Sequence, residues 1–228
     1  MEHSPILLAA LTGFISGVLL SIPVGPINVT IINEGARRGF KWAAMIGLGA
    51  VLMEVIYCTI AFTGFASFFS RGVVKAIMEL ASFVFMLYLG IKFLLAKTVD
   101  VPDEVVPGQV MEQRLESKFK PHSAFMTGFV RVMGNPGILV FWIILAASFI
   151  SREWVEPTWA AKFACISGVF LGTGLWFLGL SWAVSLGHRK FEEKTLLRLE
   201  HISGVVLLTM ALAHGGHIVW QMTSHQLH

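Results

Sequence analysis

The sequence predicts an all-α polytopic membrane protein. Its six transmembrane helices form two inverted three-helix repeats, and helices 1 and 4 are broken at proline and glycine. Three observations predict this fold. Of the 228 residues, 55% are hydrophobic and only 14% are charged, whereas a soluble domain carries about 25% charged residues. Six apolar runs are long enough to cross a bilayer, which takes about 20 residues. The first and fourth runs contain the interruptions.

The apolar runs follow one another along the whole chain, which we therefore treat as a single membrane domain, residues 1–228. Repeat one covers residues 1–97, a cytoplasmic loop covers 98–121, and repeat two covers 122–228. The first residues lack the basic start and the small-residue cleavage site of a signal peptide, so we expect the first run to stay as a helix. The six runs are 5–32, 42–69, 73–96, 122–150, 158–187 and 196–222.

Lysine and arginine residues predict the orientation. With Arg198 counted in the loop that it adjoins, the loops after the first, third and fifth runs carry eleven of them. With Lys75 and Lys162 counted in the same way, the loops after the second and fourth runs carry four. Cytoplasmic loops are enriched in these residues, so we expect the first group of loops in the cytoplasm and both termini outside. Basic residues placed beside apolar runs act as topology signals, and we expect the lipid bilayer as a partner and no nucleic acid.

Short motifs recur in the two halves in the same order. Thr-Gly-Phe at 12–14 matches Thr-Gly-Phe at 127–129, and Gly49 with its surroundings matches Gly168, at separations of 115 to 119 residues. Because each repeat has three spans, the two halves must insert with opposite orientations. Inverted repeats whose helices break at corresponding positions are typical of transporters with a central substrate site and alternating access.

The breaks are the stretch 21–28, which reads Ser-Ile-Pro-Val-Gly-Pro-Ile-Asn, and the stretch 135–137, which reads Asn-Pro-Gly. Such a composition cannot continue a regular helix, and inside a membrane the freed backbone groups need partners within the protein. A new half-helix start favours a carboxylate, and freed carbonyls can hold an ammonium group. Simple kinks are the alternative. We predict an amino-acid site formed by Pro23, Gly25, Pro26, Asn28, Asn135, Pro136 and Gly137.

Among the ionisable residues inside the apolar runs, Glu54 and Arg131 are the candidates for ion coupling. A charge at the middle of the second run costs about 2.5 kcal/mol or more, so we expect Glu54 to face an interior cavity or to carry a proton. We assign it to ion coupling, with a structural glutamate bonded to another helix as the alternative. Arg131 precedes the second break by about one turn. It is the counter-ion of Glu54, a ligand for a substrate carboxylate, or a residue that snorkels to the cytoplasmic side.

Other chemistries find little support. His214 and His217 share one face of the sixth run, but no acidic or cysteine residue is spaced with them, so we expect no metal site. We find no nucleophile–base pair and expect neither an enzyme nor a cofactor. No phosphate-binding loop of the G-x-x-x-x-G-K-[ST] type is present. The small-residue motifs at 13–17 and 168–172 serve packing within the chain or a homodimer.

Several of these motifs resemble the lysine exporter (LysE/RhtB) family of bacterial amino-acid exporters. They are the stretch 17–26, the basic stretch 35–39, which resembles that family's glycine-containing loop, and Thr-Gly-Phe at 127–129 leading to Asn-Pro at 135–136. The resemblance implies an antiporter that exports amino acids or related small metabolites across the inner (plasma) membrane, driven by a proton or cation gradient. A divalent metal or other cation exporter of the same superfamily and a non-transporting membrane subunit are the alternatives.

The chain departs from this family's pattern at three positions. It has Gly137 where the family often has lysine, Glu54 where it often has aspartate, and Arg131 near a position that is often neutral. We therefore expect the departures to affect the choice of substrate more than the fold.

Overall fold

The computed structural model describes most of the first, second, fourth and fifth apolar runs, as residues 4–22, 26–65 and 123–186, together with scattered helical positions in the third and sixth runs. Loop 98–121 and most of the third and sixth runs lie outside the described residues. Within the described ranges every regular element is helical. The predicted helical class is confirmed there.

The first apolar run folds as two helices. α1 is Ser4–Ser21, α2 is Pro26–Arg38, and the two axes differ by 70°. Proline is favourable as the first residue of α2, because the N–H that it lacks would have no helical partner there. The first break is therefore present where the proline and glycine residues predicted it.

The end of α2 differs from the prediction. Hydropathy predicts that the first run ends at residue 32, and the family resemblance predicts a loop at 35–39. The helix instead continues to Arg38, whose Nε lies 2.9 Å from Oε2 of Glu34, an i,i+4 ion pair that stabilises the last turn. Only Gly39 leaves the helix, with φ +82° and ψ −179°, a backbone conformation that is essentially confined to glycine.

The described ranges also contain two long helices and a second broken helix. α3 is Phe40–Ile60, which continues as a π-helical turn, Ala61–Phe65. The second broken helix consists of α4, Ala124–Met133, and α5, Pro136–Ser151, whose axes differ by 67°. The other long helix, α6, is Trp159–Ser185.

The long helices meet the requirements of membrane spans. Phe40–Gly64 and Trp159–Ser185 are each long and apolar enough to cross a membrane. If each bent pair is counted as one span, the described part of the chain contains four. The described part is therefore consistent with a polytopic membrane protein.

The described helices share one apolar core. Its largest fully buried side chains are those of Phe62, Trp142, Phe149 and Phe177. Large apolar side chains are also exposed along the outer faces of the helices, for example Leu7 on α1. In water such faces would favour aggregation, but in a bilayer they are solvated by lipid.

Each broken helix packs against the long helix of the other half. α1 lies along α6, and glycine makes their close approach possible. A Cβ atom added at Gly13 would overlap the backbone carbonyl of Cys165, and one added at Gly168 would overlap that of Ala10. Small residues at a crossing let two helix backbones come together.

The same crossing occurs a second time, between α4 and α3. A Cβ atom at Gly128 would overlap the carbonyl of Ile46, and one at Gly49 would overlap that of Phe125. These four residues correspond to the four at the α1–α6 crossing. Positions in α1 and α4 differ by 115 residues, and positions in α3 and α6 by 119. The repeated motifs therefore make repeated packing contacts.

Candidate functional site

Asn28 joins the two sides of the first break. Its side chain is 2% exposed. Its Nδ2 donates a hydrogen bond of 2.9 Å to the carbonyl oxygen of Ser21, the last residue of α1. Its Oδ1 accepts a hydrogen bond of 3.2 Å from the indole Nε1 of Trp176 on α6. The carboxamide thus connects the start of α2 to the end of α1 and to the long helix of the other half.

Tyr57 holds the second break. Its hydroxyl donates a hydrogen bond of 2.8 Å to the carbonyl oxygen of Met133, the last residue of α4. Carbonyl groups in the last turn of a helix have no partner within the helix, so this bond satisfies one of them. Tyr57 in α3 and Trp176 in α6 are separated by 119 residues and occupy corresponding positions. Each break is therefore held by an aromatic donor from the other half.

Asn135 caps the helix that follows the second break. Its carboxamide oxygen accepts a hydrogen bond of 3.1 Å from the backbone N–H of Gly137, as residues at a helix N-cap commonly do. Pro136 is the first residue of α5. One of the N–H groups that an anion could reach at this helix start is therefore already engaged.

Glu54 lies near the middle of α3 and contacts α6. Its Oε2 is 3.4 Å from Oγ1 of Thr173, a residue with no exposed surface. The same Oγ1 is 3.4 Å from the carbonyl oxygen of Gly17 in α1. Positions 54 and 173 are also separated by 119 residues. Corresponding positions of the two long helices therefore contact each other here.

Arg131 connects the second half to the first break. Its Nη1 donates a hydrogen bond of 2.5 Å to Oγ1 of Thr30 on α2. The Thr30 hydroxyl donates one of 2.7 Å to the carbonyl oxygen of Pro26, the first residue of that helix. A side chain that lies one turn before the second break thus contacts the helix that follows the first. This contact brings polar groups of both breaks into one region.

The predicted site residues differ in their burial. Asn28 is buried and Asn135 is half-buried, whereas Pro136 and Gly137 are exposed. Pro26, Glu54 and Arg131 are half-buried. Two further predicted residues, Pro23 and Gly25, lie outside the described residues, as do the two histidines of the sixth run, His214 and His217.

Sequence reasoning missed the partners of these residues. No role was predicted for Thr173, Trp176 or Tyr57. The signal that could have found them is the duplication itself. The separation of 119 residues that relates the glycine motifs also pairs Glu54 with Thr173 and Tyr57 with Trp176.

The chain is similar to a family of translocators over most of its length. The family model described as LysE type translocator matches residues 18–214. The protein named "Putative amino acid efflux protein YcgF" of Bacillus subtilis is 28% identical over 207 residues, covering 90% of this chain and 94% of YcgF. The "Chemotactic transduction protein ChpE" of Pseudomonas aeruginosa is 23% identical over 166 residues, covering 73% of this chain and 77% of ChpE. No solved structure matches the chain.

Proposed function

The chain belongs to the LysE type translocator family, and we propose from this premise that it exports amino acids or related small metabolites across the bacterial inner membrane. As a translocator it is a membrane transporter and not an enzyme. The observation that carries the proposal is the pair of broken helices, each held by a donor from the other half. The efflux protein named among its relatives supports the class of cargo.

The substrate binds between the two breaks. α2 begins at Pro26 and α5 at Pro136, and each helix start directs N–H groups and the positive end of its dipole towards the break. Broken helices supply the substrate site in many secondary transporters. The contact between Arg131 and Thr30 supports a single site, because it joins the two breaks through polar groups.

Transport proceeds by alternating access of two inverted repeats. Three spans in each repeat would give the halves opposite orientations, and the duplicated glycine crossings support the equivalence of the halves. Glu54 couples export to a proton or cation gradient. Its contact with Thr173, which occupies the corresponding position in α6, supports this role, since a group between the halves can respond to both.

Counterflow in proteoliposomes tests the proposal. Vesicles are loaded with one unlabelled amino acid or divalent metal at a time, and uptake of the matching labelled species is followed. We expect exchange with one class of amino acid, and Asn135→Ala should abolish this exchange. In Glu54→Gln, transport should no longer respond to an imposed pH gradient. Matched controls are Asn33→Ala and Glu156→Gln, because both side chains are exposed.

Two outcomes would contradict the proposal. Exchange with metals alone would favour the cation exporter, although the described ranges contain no group of three His, Cys, Asp or Glu residues that could hold a metal ion. Full pH-gradient coupling in Glu54→Gln would remove the assigned role of that residue.

A membrane subunit of a signalling system is the second candidate, favoured by the relative named for chemotactic transduction. It predicts no counterflow of any amino acid. It also predicts that a helix-forming replacement such as Pro26→Ala is tolerated at the break. Loss of exchange in Pro26→Ala, with the protein still inserted, would speak against it.

A further inference from the structure

The hydroxyl of Thr173 lies between two acceptors. Its Oγ1 is 3.4 Å from Oε2 of Glu54 and 3.4 Å from the carbonyl oxygen of Gly17. A threonine hydroxyl carries one hydrogen, so it donates to one of these oxygens at a time. Hydrogen bonds between oxygen atoms are usually shorter, at about 2.5–3.0 Å. Both distances are longer than this and are equal, so they do not favour one orientation of the hydroxyl over the other.

Glycine at position 17 makes this arrangement possible. A Cβ atom there would lie 3.1 Å from Oγ1 of Thr173 and 2.8 Å from the carbonyl oxygen of Val169. A residue with a side chain would push α6 away from α1. The close approach of Thr173 to the Gly17 carbonyl thus depends on the absence of a side chain at this position.

The Gly17 carbonyl is linked to the first break. It accepts a hydrogen bond of 2.7 Å from Oγ of Ser21, the last residue of α1. The carbonyl of Ser21 in turn accepts the hydrogen bond from Asn28. Polar contacts therefore lead from the carboxyl group of Glu54 to the side chain of Ser21, the residue whose backbone carbonyl joins the two helix ends at the break.

We propose that Thr173 is a positioning residue that transmits the charge state of Glu54 to the first break. This inference rests on the proposed coupling role of Glu54. When Glu54 is ionised, the hydroxyl of Thr173 donates to the carboxylate. When Glu54 binds a proton, its carboxyl O–H donates to Oγ1 of Thr173, whose hydrogen then turns to the carbonyl of Gly17. There it competes with Ser21, and the end of α1 loosens. Apart from proton uptake by Glu54, no covalent bond changes.

Other ionisable groups lie on α3 and on the helices packed against it. Tyr57 and Cys58 lie one turn along α3 from Glu54, and the Tyr57 hydroxyl donates to the carbonyl oxygen of Met133. Cys165 lies on α6, and both thiols are buried. α4 contributes Arg131, whose guanidinium binds Thr30 on α2. The π-helical turn and α5 contain no ionisable side chain.

The charged residues of α2 and the lysine of α6 lie at helix ends. Glu34 and Arg38 pair with each other in the last turn of α2, where Arg37 also lies. On α6, Lys162 lies in the first turn with its Nζ 5.1 Å from the centre of the Trp159 ring. Among the described side chains, Thr173 is the one whose hydroxyl can exchange a hydrogen bond between Glu54 and α1.

Hydrogen–deuterium exchange of peptides covering residues 17–28 tests the proposal without a substrate. At each pH the wild type is compared with Glu54→Gln, which cannot ionise, so that the intrinsic pH dependence of exchange cancels. We expect the wild type to exchange more slowly than Glu54→Gln at high pH, by about threefold, as for the strengthening of one hydrogen bond. At low pH the two should agree.

The Thr173 variants decide whether the signal passes through the hydroxyl. In Thr173→Val the effect of adding Glu54→Gln should vanish at every pH, and Thr173→Ser should restore it. Ser181→Ala is the matched control, because Ser181 is buried on the same helix and its hydroxyl donates to the Phe177 carbonyl of its own helix. If Thr173→Val does not fold, Thr173→Cys, a weak donor of similar size, should reduce the effect.

Two results would overturn the proposal. One is an undiminished effect of Glu54→Gln in the Thr173→Val background. The other is agreement between the wild type and Glu54→Gln at all pH values. Because the exchange assay needs no transport, its outcome is separate from that of counterflow. A wild type that shows the pH effect and transports no amino acid would refute the proposed function and leave the role of Thr173 standing.

Discussion

Replacing Gly168 by alanine should separate α6 from α1. The added methyl group would overlap the carbonyl oxygen of Ala10 and would lie 2.7 Å from the backbone nitrogen of Phe14. Both atoms belong to the backbone of α1, so no side-chain rotation relieves the overlap. The helices must move apart or bend, and the packing on either side of the crossing is lost with them.

The magnitude follows from a comparison within one helix. Overpacking costs about 1–3 kcal/mol, while alanine gains about 1 kcal/mol over glycine in helix propensity. Gly174 lies on the same helix, and a Cβ atom there meets nothing within 4 Å, so Gly174→Ala gains the propensity alone. The difference in the free energy of unfolding between Gly168→Ala and Gly174→Ala should therefore equal the cost of overpacking at the crossing, about 1–3 kcal/mol.

Thermal unfolding of the purified protein in detergent measures this difference. For a chain of this size, 1 kcal/mol corresponds to about 2–4 °C, so Gly168→Ala should melt about 2–12 °C below Gly174→Ala. The melting temperature of Gly49→Ala should fall by the same amount, because its added methyl group would overlap the carbonyl of Phe125 in the corresponding crossing. Equal melting temperatures for Gly168→Ala and Gly174→Ala would refute the packing argument. Unequal losses for Gly168 and Gly49 would refute the equivalence of the crossings.

Three further substitutions test the breaks and the turn between α2 and α3. Trp176→Phe removes the indole N–H that donates to the Asn28 carboxamide and should cost about 0.5–1.5 kcal/mol of stability, whereas Trp182→Phe, at an exposed position of the same helix, should be neutral. Similar melting temperatures of the two variants would contradict this. Tyr57→Phe removes the donor to the second break and should reduce both counterflow and stability. Tyr88→Phe is the control, because Tyr88 is exposed. Wild-type counterflow and stability in Tyr57→Phe would argue against a role for the hydroxyl. Gly39→Ala forces a side chain into a conformation suited to glycine and should cost about 1–3 kcal/mol; an unchanged melting temperature would show that the turn relaxes freely.

The apolar runs and both breaks could be predicted from the sequence, because they depend on local physics. Long apolar stretches select a bilayer, and proline removes a helical hydrogen bond wherever it stands. The starts of α2 and α5 at Pro26 and Pro136 follow directly. The glycine motifs were recognised as packing signals, and the structure places Gly13 and Gly168 at a helix crossing.

Contacts between distant parts of the chain could not be predicted in the same way. Which donor satisfies the carbonyl of Met133 depends on how α3 lies against α4, and no local pattern around Tyr57 specifies it. Likewise, the contact of Arg131 with Thr30 spans 101 residues. The end of α2 was misjudged for another reason. Hydropathy falls after residue 32, but α2 continues to Arg38, because Gly35 packs against α3 and α6 and the ion pair between Glu34 and Arg38 adds to the stability of the last turn.

The interlocked glycine crossings have a consequence for biosynthesis. Gly13 packs against a helix whose contacting residue, Cys165, is 152 residues further along the chain. At about 5–20 residues per second, a ribosome needs about 8–30 s to make the partner after α1 has emerged. During that interval α1 shows its glycine face to lipid or to the insertion machinery. The first half can settle into its final packing only when the fifth apolar run has entered the membrane.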